Sequence, residues 1–124
     1  MFVAFISVLG RLFDIVRNEP ERLLTEFDRV VEFVKGPSVA AIDEPGFTDA
    51  FFVQPEDVEP IMNEYPVEQL GLLGVEGLTS QSERVISGIS DEMTQVWVRL
   101  AVETAPTPAA LFGSDHILYV GRKL

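Results

Sequence analysis

The chain has 124 residues, 20 Asp+Glu against 9 Lys+Arg, a formal net charge of −11, 47% hydrophobic residues and no cysteine. So large an apolar share excludes a disordered acidic tail. The absence of cysteine excludes disulfide frameworks, thiolate metal sites and cysteine nucleophiles, and a single histidine leaves nearly every zinc arrangement without ligands. Seven of the nine cations are arginine, and only Lys35 and Lys123 are lysines. An acidic, lysine-poor surface around a well-stocked core suits concentrated salt, where the Debye length falls to about 3 Å at 1 M and self-repulsion is screened. No nucleic-acid partner is expected: Arg11, Arg17, Arg22 and Arg29 are interleaved with Asp14, Glu19, Glu21, Glu26 and Asp28, so they form no basic face.

In chain order, residues 1–10 are almost wholly apolar. No basic segment precedes them, as a secretory signal requires, and Arg11 and Asp14 arrive too early for the roughly 20 apolar residues of a spanning helix. A virion or cytoplasmic location is therefore expected, without signal-directed secretion and without a membrane partner. Residues 2–17 read as a helix, with Phe2, Phe5, Ile6, Leu9, Leu12, Phe13 and Val16 at three-and-four spacing. Apolar on most of its circumference, it needs covering on most sides. Residues 19–35 read as a second helix, with Asn18 and Glu21 as a capping box, Pro20 in the first turn and Gly36-Pro37 as the stop.

Beyond Pro37 the period changes. Residues 39–42 and 50–54 are short apolar runs separated by a turn at Asp43-Glu44-Pro45-Gly46, and residues 55–64 hold a short helix or turn interrupted by Pro60. Residues 70–78 read as a strand weakened by Gly71, Gly74 and Gly77, and residues 84–89 as another. In residues 95–103 Val96, Val98, Leu100 and Val102 alternate with Gln95, Trp97, Arg99 and Glu103, the pattern of a half-buried strand. Residues 105–109 form a loop, and residues 116–124 a closing strand that pairs antiparallel with residues 95–103. On this reading Arg122, Lys123 and Leu124 lie at a sheet edge.

No constellation points to catalysis, a metal or a cofactor. Asp43-Glu44, Glu56-Asp57-Glu59 and Asp91-Glu92 occupy turns and helix starts, where acids cap amides, and the second lacks the pattern of an EF-hand loop. His116 adjoins Asp115, but Ser80, Ser82, Ser87, Ser90 and Ser114 all lack the G-x-S-x-G elbow of a nucleophile. The glycines at 71, 74 and 77 match neither phosphate-binding fingerprint, and suit bulges or close packing instead.

The expected architecture is one α+β domain over residues 1–124. An N-terminal helix pair (1–36) packs on a small, mostly antiparallel sheet in a largely β segment (37–124) with one short helix or turn. The expected function is that of a non-enzymatic structural subunit, a homo-oligomer or a member of a hetero-assembly with other protein subunits. Its subunit contacts are expected at Phe2, Phe5, Ile6, Leu9, Phe13, Trp97, Arg122 and Leu124. In size and element order the chain resembles the small neck and tail-completion subunits of tailed viruses, which implies virion assembly, here with a halophilic host. The alternative is a small acidic regulatory or ligand-binding domain acting as a monomer or dimer.

Overall fold

A computed structural model describes residues 1–41, 48–80 and 82–124. Among the described residues the chain alternates five strands with seven α-helices: β1 (Phe2–Ser7), α1 (Val8–Asn18), α2 (Arg22–Thr25), α3 (Phe27–Lys35), β2 (Val39–Ala41), β3 (Ala50–Val53), α4 (Pro55–Met62), β4 (Val67–Gly74), α5 (Glu83–Ile86), α6 (Asp91–Thr104), α7 (Pro108–Gly113) and β5 (His116–Lys123). A 3-10 turn, Gly77–Thr79, follows β4.

The strands form one sheet in the order β2-β3-β1-β5-β4. β1 runs parallel to β3, and the other three pairings are antiparallel. The expected helix pair against a mostly antiparallel sheet is therefore present in outline, and both short apolar runs after Pro37 pair as β2 and β3. Ile42 and the turn at 43–46 lie outside the described residues.

Four expectations need correction. Phe2–Ser7 form β1, at the centre of the sheet, and the helix starts only at Val8. β-branched and aromatic side chains fit a pleated, two-sided environment, and Ser7 stops the strand by capping α1, its Oγ accepting from the Gly10 N–H at 2.8 Å. The second helix breaks at Glu26 into α2 and α3, and the capping box does not form. Asn18 instead donates to Asp14 at 2.7 Å, and α2 starts without a side-chain cap. The stop at Gly36 occurs where expected, with extended backbone (φ −81°, ψ 177°).

Residues 95–103 lie within α6 and residues 84–86 within α5, so neither segment is a strand. The Ser90 side chain accepts from the Met93 N–H, with Asp91 and Glu92 in the first turn, so the cap and the helix dipole outweigh the alternating valines. Finally, β5 pairs with β1 and β4 and is not an edge. Arg122 and Lys123 stand opposite Glu68 and Val67, and the edges are β2 and β4.

The two faces of the sheet are covered unequally. On one face Val53, Ile117 and Tyr119 pack with Val58 and Met62 of α4, joined by Val3, Phe5, Leu72 and Leu111. Each fully buried aliphatic or aromatic side chain there contributes about 1.5–3 kcal/mol. α7 presses on the same region so closely that a Cβ on Gly74 would stand 2.2 Å from the Ala110 carbonyl oxygen. The opposite face is covered over β3 by α3, where Phe33 meets the fully buried Phe52 edge-on at 5.6 Å. The register carries this second face on across Phe2, Ala4, Leu118, Val120, Gly71 and Leu73. There Phe2 is 75% exposed, Ala4 is exposed, and the others are half-buried.

Candidate functional site

Two features stand out: an arginine-lined cavity under the N-terminal helices, and the uncovered apolar surface.

The cavity, about 410 Å³, lies between α1, α3 and β2. Ile15, Val30, Phe33 and Phe52 form apolar walls, and its charged lining is Arg11, Arg22, Arg29 and Glu32, the reverse of the chain's acidic balance. These arginines belong to a ladder of alternating charge. Arg11, whose side chain is only 2% exposed, pairs with Asp14 and, at 2.8 Å, with Glu19. Arg22 bridges Glu19 at 3.1 Å and Glu26 at 2.9 Å, and Arg29 reaches Glu26 at 3.2 Å. The ladder ties the end of α1 to the broken second helix. The hydrogen bond from Arg11 holds the Glu19 carboxyl below its ordinary range against the opposing effect of burial, with Arg22 adding to the lowering. The bond from Arg22 lowers Glu26 in the same way, again against burial, and the charges of Arg22 and Arg29 reinforce it. Sequence reasoning noted these interleaved charges only as an argument against a basic patch. Their spacing of three, four and eight residues was the signal of a ladder.

The serine, aspartate and histidine candidates separate into structural pairs. Ser80 Oγ donates to Asp115 at 2.8 Å, while His116 Nδ1 lies 2.5 Å from Glu76, whose other oxygen accepts from the His116 N–H at 2.9 Å. His116 thus meets a carboxylate, not the serine that nucleophilic catalysis would require beside it. Asp57 accepts from the Ser38 N–H and, at 2.6 Å, from its hydroxyl, fastening α4 to the start of β2. Among the described residues no three metal-ligating side chains gather. The spaced glycines act as packing and bulge positions: the β4 register shifts between Gln69 and Gly71, and Gly77 adopts φ +54°.

The eight residues expected at subunit contacts are dispersed. Phe2 and Ile6 lie on the incompletely covered sheet face, and Phe5 points to the opposite one, into the core. Leu9 and Phe13 are half-buried on α1, with Arg17 5.5 Å above the Phe13 ring. Arg122 is exposed and pairs with Glu68 at 2.6 Å, and Leu124 is exposed. Trp97 is half-buried on α6 and lines a shallow groove with Ile86, Ile89 and Ala101.

The sequence pattern missed α6 itself as a surface. It contributes no buried residue, and Met93, Val96 and Leu100, at spacings of three and four, form an exposed apolar stripe beside the Trp97 side. The whole chain exposes 8041 Å², about 1,400 Å² more than the roughly 6,600 Å² expected of a 13.8 kDa monomer. No helix of the described residues is long and apolar enough to cross a membrane. No family model matches the chain, and the search of curated proteins found no match.

Proposed function

We propose that this chain is a structural subunit of a multi-copy protein assembly, working through surface contacts and not through chemistry. The observation that supports it is exposed apolar surface on two regular elements, the β1-β5-β4 half-sheet around Phe2 and the Met93–Val96–Leu100 side of α6. Exposed patches of this kind mark contacts with other proteins. The net charge of −11 opposes an anionic membrane or nucleic acid as the partner. The acidic, lysine-poor surface fits an assembly in concentrated salt, the setting expected of a virion component from a halophilic host. Light scattering at about 0.1 M and above 1 M salt tests the reading: a multimer is expected, populated more fully at high salt, whereas a clean monomer at both salts refutes it.

The arginine-lined cavity favours a second reading, a small ligand-binding domain. At about 410 Å³ it falls within the usual 300–1,000 Å³ range of small-molecule sites. A monomer whose melting temperature rises with added organic carboxylates would favour that reading.

A further inference from the structure

We infer that α6 of one copy docks on the uncovered β1-β5-β4 half of the sheet of a second copy. The inference rests on the assembly reading and names its contact. A sheet face buries its apolar side chains under helices, as α1 and α3 do over the other half of this same face. Among the described residues the chain carries a half-sheet without a helix over it and a helix without a sheet. Phe2, Ala4, Leu118, Val120 and Leu73 make up the first, and Met93, Val96 and Leu100 the stripe of the second.

The dimensions agree. Fourteen residues make α6 about 21 Å long, and the six- and eight-residue strands β1 and β5 span about 20 and 26 Å. Each surface is bordered by an exposed ion pair, Arg99–Glu103 on α6 and Arg122–Glu68 on the half-sheet, polar rims of the kind that surround an apolar contact. Helix of the first copy on sheet of the second, and the reverse, makes a reciprocal two-fold pair with two equal contacts.

The test uses two double variants of the full chain. Val96→Glu with Leu100→Glu alters the helix stripe. Glutamate favours helix, and both positions are exposed, so the fold survives. Phe2→Lys with Ala4→Lys alters the sheet face at exposed positions. Each variant alone is expected to lose self-association at least about a hundred-fold, because an uncompensated charge would be buried in the contact. Circular dichroism must show each still folded; where the sheet pair is not, Phe2→Lys alone replaces it. Mixing the two variants is expected to restore association, since the native helix of one meets the native sheet of the other. Variants that associate as tightly as the parent chain, or a mixture that stays monomeric, overturn the α6-on-sheet contact while the assembly reading stands. A parent chain that is itself monomeric at both salts removes the assembly reading as well.

Discussion

Replacing Ser114 with alanine is expected to cost about 3 kcal/mol of stability through one lost oxygen. Ser114 is fully buried where β5 begins, and it joins three parts of the fold. Its hydroxyl accepts from the Gly77 N–H at 2.8 Å and donates to the Ala110 carbonyl at 2.6 Å, while its own carbonyl accepts from the Ser7 hydroxyl at 2.7 Å. Ser114→Ala keeps the last bond and deletes the first two. The Gly77 N–H then loses its acceptor, an orphaned buried donor worth about 2 kcal/mol, and the lost bond to Ala110 adds about 1 kcal/mol. With an unfolding entropy of about 2.1 cal/mol/K per residue, 124 residues give about 0.26 kcal/mol/K, so Tm falls by about 11 °C. Thermal and urea unfolding followed by circular dichroism measure both quantities, and the urea midpoint is expected to fall with the slope unchanged. A drop below about 4 °C, equivalent to about 1 kcal/mol, would refute the reasoning. It would mean that this buried bridge is replaced without cost.

Further outcomes are expected elsewhere. Gly10→Ala, which would gain about 1 kcal/mol in an open helix, is expected to destabilise the protein instead, because the new Cβ would lie 2.7 Å from the Asp115 carbonyl oxygen; a raised Tm would contradict this. Glu19 and Glu26 have lowered folded pKa values, so their contribution to stability is present above about pH 4.5 and is lost as pH falls through those values. Acid titrations of stability are expected to be shallower for Glu19→Gln than for the parent chain, and parallel curves would count against the ladder. Phe5→Asp is expected to unfold the chain, since Phe5 packs into the core, whereas Phe2→Asp at a 75% exposed position leaves folding within about 1 kcal/mol of the parent. Chemical denaturation of the two variants separates these cases.

Much of the local structure was legible and most of the topology was not, for identifiable reasons. The closing strand, the stop at Gly36-Pro37 and the short helix through Pro60 follow from local chemistry, and all three are present. β1 was missed because Phe2, Phe5, Ile6 and Leu9 satisfy helical spacing by coincidence, while the side chains between them are apolar too. A run apolar on every side is also what a central strand shows when both of its faces carry apolar side chains, even though here Phe2 and Ala4 stay exposed on one of them. Ser7 held the deciding signal as a cap in the middle of the supposed helix. In α6 the error was reversed: alternating valines suggested a strand, although Asp91-Glu92, placed among turns and helix starts, do stand in a first helical turn behind the Ser90 cap. The Arg11–Glu19–Arg22–Glu26 ladder was legible in the spacing of its charges, but the cavity beside it also needs α3 and β2 brought against α1, a tertiary placement that spacing does not give.

The bond between Ser7 and Ser114 spans 107 positions of sequence, and the central β1–β5 pairing spans similar distances. At about 5–20 residues per second, a ribosome needs roughly 5–20 s to travel from one serine to the other. Throughout that interval Phe2 to Ile6 exist as an apolar strand whose main partner has not been made. The middle of the sheet closes last, after its flanking helices have had time to form, and loop closure over that distance slows the step further. During synthesis this makes the segment a natural holding site for a chaperone. The same delay leaves an unpaired apolar strand open to pairing with other chains while synthesis continues.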